Sequence, residues 1–76
     1  MNNARLTFKA MRKLKGTQAK VAKDVGISEI YVRKIEGGAF TPGRDLMFKL
    51  AQYFDIDEKV LFPDYFESMK RRLINR

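Results

Sequence analysis

Glycine followed closely by a hydroxyl residue punctuates the chain at short intervals: Gly16-Thr17, Gly26-Ile27-Ser28, and Gly37-Gly38 ahead of Thr41-Pro42. Glycine closes helices because it enters the left-handed backbone region at no steric cost, and Thr or Ser caps the next helix by accepting from a free amide. The spacing predicts short helices over 4–15, 18–25 and 29–36. In the first, Phe8, Met11 and Leu14 are expected to face inward; in the second, Val21, Ala22 and Val25. Ile27 is placed to staple onto Val32 at the start of the third. Thr41-Pro42 reads as a cap with Pro at the first helical position, opening a fourth helix to about Phe54 with Met47, Leu50, Ala51 and Phe54 buried. Asp57 caps a short fifth helix through Leu61, stapled by Ile56, and Pro63 ends it. No segment alternates with period two over a useful length, so no strand is expected and the fold class is all-α.

A chain of 76 residues is one small domain. It contains no Cys and no His, which removes disulfides, thiolate and imidazole metal sites, and His-based general-base chemistry. No enzyme activity and no cofactor are expected. The longest apolar runs, Leu46-Met47-Phe48 and Val60-Leu61-Phe62, are far too short to span a bilayer, and the N-terminus has no apolar signal region. A cytoplasmic protein without a membrane partner is expected.

The formal charge is +7, unevenly placed. Residues 1–35 hold nine Lys/Arg (Arg5, Lys9, Arg12, Lys13, Lys15, Lys20, Lys23, Arg33, Lys34) against Asp24 and Glu29. Residues 36–67 hold three bases and seven acids, and residues 68–76 four bases and no acid. A basic front joined to an acidic rear suggests one face for a polyanion and another for something else. Six of the nine aromatics fall in 48–66, so the basic half lacks the rings that a single-strand stacking platform needs.

Helices 18–25 and 29–36, joined at Gly26-Ile27-Ser28, form a helix-turn-helix. At about 100° per residue, Val32 and Ile35 mark the inward side of helix 29–36. Ile30 then points outward, flanked by Arg33 and Lys34 with Glu29 at the margin. An outward Ile among charges suits the methyl group of thymine in a major groove. Glu29 can accept from cytosine N4, Lys34 can donate to guanine O6 or N7, and Arg33 can reach a base or a phosphate. The competing reading packs Ile30 against a partner protein. Lys20 sits where a capping box wants Glu or Gln and opposes the helix dipole, which makes sense if the N-terminus of helix 18–25, with Thr17 and Lys20, faces a phosphate. The amides of Gly37-Gly38 can serve a phosphate or simply cap the helix. Arg44 can touch a phosphate, reach a minor groove or remain solvated.

Thr17-Gln18, Ala22-x-x-x-Gly26-Ile27-Ser28, Ile35-Glu36-x-Gly38, Pro42, Leu50-Ala51 and Ile56-Asp57-x-x-x-Leu61-Phe62-Pro63-Asp64 together resemble the Cro/C1-type (XRE) helix-turn-helix repressors. The resemblance covers about residues 5–64. It implies a five-helix, lambda-repressor-like DNA-binding domain over 4–64, usually dimeric on inverted-repeat operators in double-stranded DNA. It implies that Ser28, Glu29, Ile30, Arg33 and Lys34 face DNA, that Gln18 clamps a phosphate, and that Arg12 and Glu36 form a structural ion pair. The chain departs from the pattern at Gly16, which meets Thr17 without the usual intervening apolar residue, a gap assigned to Leu14. It departs again at Ala39, where a basic residue often stands.

Residues 65–76 lie beyond the resemblance. Phe66, Met69 and Leu73 share a helical face beside the run Lys70-Arg71-Arg72. The segment reads as a short sixth helix used for pairing, a DNA-backbone arm or a frayed tail. Phe62, Tyr65, Phe66, Met69 and Leu73 are expected to form a homodimer interface, because they exceed what a small core must bury. The reading is a repressor of phage or mobile-element type, with an antirepressor or toxin as possible protein partner; the alternative is an antitoxin or other protein-binding helix-turn-helix module.

Overall fold

The computed structural model describes residues 4–74, with side chains through residue 71. Among them are six helices and no strand: α1 (Leu6–Lys15), α2 (Gln18–Val25), α3 (Glu29–Glu36), α4 (Arg44–Phe54), α5 (Glu58–Leu61) and α6 (Pro63–Ile74). The caps of α2 and α3 follow the local signals. Thr17 Oγ1 accepts from the Lys20 amide at 3.1 Å and Ser28 Oγ from the Tyr31 amide at 3.0 Å. Gly26 closes α2 at φ 88°, a left-handed setting that disfavours any residue with a Cβ. Gly16 also has a positive φ, 144°, and a Cβ there would meet Lys20 Cδ at 2.8 Å. The Lys20 stem thus lies over Gly16.

The α3 and α4 ends close in the same way. Ala39 N donates to Lys34 O and Gly38 N to Ile35 O; Ile56 N donates to Ala51 O and Asp55 N to Gln52 O. This paired bonding is the Schellman motif. Asp55 takes the left-handed position at φ 56° without being glycine.

The core is formed by Phe8, Val21, Ala22, Val25, Val32, Ile35, Met47, Leu50, Ala51, Phe54, Leu61 and Phe62. Phe8 is its hub, edge-on to Phe54 at 5.3 Å and tilted against Phe62 at 6.1 Å. Met11, Ile27 and Ile56 pack at its margin, as do Tyr65 and Phe66.

Several expectations need correction. Leu14 is 80% exposed and fills no gap; six residues on from Phe8, it lies about 120° round the helix. The first helix begins at Leu6 because Arg5 is its N-cap residue, with the side chain turned away from the capping position. Thr41 does not open α4. Its hydroxyl accepts from Arg5 at 2.7 Å, and the helix starts at Arg44 behind Gly43, with no side-chain cap. Pro63 does end α5, but it is also the first residue of α6, a position that suits a ring without an N–H. The boundary expected after Asp64 therefore falls inside the first turn of α6. Phe62 is fully buried and belongs to the core, so it cannot serve a subunit interface.

Candidate nucleic-acid interface

The outer face of α3 is a continuous exposed strip. Ser28, Glu29, Ile30, Arg33 and Lys34 are all exposed, and Ile30 keeps 58% of its surface in solvent. Arg33 Nη2 lies 3.4 Å from Glu29 Oε2, one helical turn back. Tyr31 turns to the side, its ring 4.9 Å from that of Phe40 in the loop after α3. On the opposite side Val32 and Ile35 are completely buried. The helix is thus held by two aliphatic residues and exposes an isoleucine among charges. An isoleucine in that setting suits a groove lined by methyl groups.

The N-terminal ends of α2 and α3 are open. Their caps satisfy the third amide of each helix. Among the described residues, the amides of Gln18, Ala19, Glu29 and Ile30 have no acceptor, as the first turn of a helix dictates. Amides in that position suit phosphate oxygens. The Thr17 and Ser28 hydroxyls each accept one bond and retain a proton to donate. Lys20 Nζ is paired with Asp24 at 2.7 Å on the exposed side of α2.

Behind α3 the charges are internal. Glu36 is buried, and Arg12 grips its carboxylate with two bonds of 2.8 and 2.9 Å, with both side chains nearly withdrawn from water. Arg12 also donates to Gly16 O at 3.2 Å. The Arg12 hydrogen bond, opposed by burial, holds the Glu36 carboxyl below the usual carboxylate range, with a smaller contribution from a Gln18 hydrogen bond. Glu36 in turn pushes the Arg12 guanidinium up. Gln18, the first residue of α2, is half-buried. A second cluster fixes α2 against α4: Tyr53 Oη donates to Asp24 at 2.6 Å, and Lys15 Nζ sits 4.9 Å from the Tyr53 ring centre. Lys20 first and Tyr53 second hold the Asp24 carboxyl low; desolvation, then Asp24, pushes the Tyr53 hydroxyl up to about 12.

Other expected site residues lie elsewhere. The Gly38 amide, expected to be offered to a phosphate, already donates to Ile35 O at 3.1 Å; closing α3 has consumed it. Arg44 is engaged at the rear, 3.1 Å from Glu58 and over the rings of Phe66 and Tyr65 at 5.0 and 5.8 Å. Tyr65 and Phe66 are half-buried and stacked edge-on to each other, and Met69 is half-exposed. The Leu73 side chain lies outside the described residues.

Sequence reasoning missed Arg5, counting it with the DNA-facing charge. It is 5% exposed and bonded within the fold. No local signal marked it, because the first helix read over 4–15 places Arg5 inside the helix and its partners lie 30 to 59 residues away.

An all-helical domain with an open helix-turn-helix face has the form of a DNA-binding domain. Residues 8–61 match the family model described as helix-turn-helix, well over half of the chain, and the protein belongs to that family as a Cro/C1-type, XRE-family DNA-binding domain. It is a DNA-binding transcriptional regulator of the XRE kind. No curated protein and no solved structure matches the chain. Among the described residues, no helix is long and apolar enough to cross a membrane.

Proposed function

We propose that the protein is a homodimeric repressor of phage or mobile-element type, acting in the cytoplasm on an inverted-repeat operator. Glu29, Ile30, Arg33 and Lys34 read bases in the major groove, while Thr17, Gln18, Lys20 and Ser28 meet phosphates. The exposure of Ile30 within the charged strip of α3 carries this reading. A single helix reads only a few base pairs, so pairing is required to place two such helices about 34 Å apart on one face of the duplex. The face of α6 that carries Tyr65, Phe66 and Met69 supplies the pairing surface. An antirepressor protein is the expected means of release.

The test is binding to duplexes selected from a random pool, titrated with salt. If about six cations meet phosphates, affinity falls by about 10³ or more between 50 and 200 mM salt. Affinity that stays flat removes the DNA reading in favour of a protein-binding, antitoxin-like module. Sedimentation of the full chain and of Met69→Asp tests pairing: the wild type is expected to dimerise and the variant to remain monomeric.

A further inference from the structure

Arg5 spends all five of its N–H donors inside the fold. Nε and Nη2 donate to the two carboxylate oxygens of Asp64 at 3.1 and 2.9 Å. Nη1 donates to Ile35 O at 2.6 Å and to Phe40 O at 2.8 Å. Nη2 also donates to Thr41 Oγ1 at 2.7 Å. The guanidinium lies 5.2 Å from the centre of the Phe62 ring, and the Arg5 backbone amide donates to Glu36 O at 2.8 Å. The partners come from three places: the last turn of α3, the loop that follows it, and the first turn of α6. Helix to helix, α6 approaches α5 and does not contact α3. Arg5 bridges the two. Only a planar fork of five donors serves such a set; the single ammonium of lysine cannot.

The two ends of the bridge differ. The α3 end is buried, whereas the Asp64 side chain is 53% exposed. An exposed ion pair is normally worth little. Here the cation is buried, and removing Asp64 leaves two of its donors without an acceptor, which costs far more than the pair itself contributes.

From this geometry we propose that Arg5 is a positioning residue for DNA reading. It latches the trailing end of α3 to α6, so that the setting of the reading face depends on the seating of α6 through Asp64. The proposal rests on the assignment of α3 as the DNA-contacting helix. It makes α6 a lever: whatever unseats the first turn of α6 loosens the helix that reads.

The test uses the full chain with Asp64→Ala, and Arg5→Lys as a second variant. Two quantities are measured: amide hydrogen exchange at Gly38, Ala39 and Phe40, and the ratio of affinities for a selected duplex and a random one. Exchange at those three amides is expected to quicken about tenfold while Gly26 and Ile27 stay unchanged, and the ratio is expected to fall about tenfold. A uniform rise in exchange, an equal loss on both duplexes, or no change in Asp64→Ala overturns the proposal, since a purely structural role lowers both affinities alike. If Arg5→Lys does not fold, Asp64→Ala decides the matter. A wild-type protein that prefers no duplex overturns the assignment of α3, and the role in recognition with it; local exchange still reports whether the latch exists, so the two failures are distinguishable.

Discussion

At its N-terminal end α3 is held by one exposed hydroxyl, Ser28, and leaves the amides of Glu29 and Ile30 open. Its C-terminal end is closed by the Ala39 and Gly38 bonds, gripped by Arg12 through Glu36, and tied by Arg5 through Ile35 O and Glu36 O. One helix of eight residues thus has a free end and an anchored end. Such a short helix has little stability of its own. Fixing it from behind lets the front present Ile30, Arg33 and Lys34 in one geometry, with the groups that hold the helix kept off its exposed strip. The inward charge of the last turn, Glu36, is used for architecture, while Arg33 and Lys34 on the outer side of the same turn stay exposed.

The largest test of this contrast cuts the anchor. Glu36→Ala leaves the Arg12 guanidinium nearly buried and without its partner, and is expected to cost about 3–5 kcal/mol in urea denaturation. Ser28→Ala, at the free end, should cost only about 1 kcal/mol. Equal losses would mean that the two ends are not built differently. The anchor also has a pH signature. Because the folded state holds the Glu36 carboxyl below its ordinary value, its contribution is fully present above the unfolded carboxylate range of about 4.3 and disappears as pH falls through the depressed folded value. Asp24, held low by Lys20 and Tyr53, acts with the same sign. The urea midpoint is expected to fall below about pH 5 and to fall less steeply in Glu36→Gln. Parallel curves would sink the assignment of the acid limb to Glu36.

The free end was legible in the sequence and much of the anchored end was not, for a physical reason. Thr17, Gly26, Ser28 and Gly38 act on backbone groups within a few residues, so the limits of α2 and α3 can be read from short stretches. The exposed strip follows from helical periodicity alone. Arg5 acts on residues 30 to 59 positions away, and no local pattern contains that information. The same distance explains Thr41: its hydroxyl looks like a cap beside Pro42, but a residue 36 positions earlier claims it. Phe62 reads as an interface residue because its ring packs against Phe8, far earlier in the chain, and no local pattern contains that contact. The Arg12–Glu36 pair came only from the family resemblance; its 24-residue separation leaves no periodic trace.

A smaller effect separates recognition from stability at the free end. Ile30→Ala removes a side chain that touches little of the core, so its unfolding free energy should change by no more than about 0.5 kcal/mol. On a selected duplex the same change should cost about 1–3 kcal/mol, with little effect on random DNA, and Lys34→Ala should behave alike. A large stability loss in Ile30→Ala would show that the strip is structural after all.

The smallest expected effect is the most discriminating in sign. Glu29 is the first residue of α3, half-exposed, with Arg33 one turn on at 3.4 Å. For stability, Glu29→Gln gives up an exposed pair and a favourable charge at a helix N-terminus, together less than about 1 kcal/mol. For random DNA the change is favourable, because it removes a negative charge from a face turned to phosphates and releases Arg33. Two unit charges about 7 Å apart in water interact by about 0.6 kcal/mol, so random-duplex affinity should rise about two- to threefold at low salt. The gain should vanish as salt shortens the screening length. On the selected duplex, the proposed acceptor role of Glu29 toward a cytosine requires the same variant to lose affinity. Opposite movements on the two DNAs place Glu29 in the groove; parallel movements place it outside, and the reading strip then begins at Ile30.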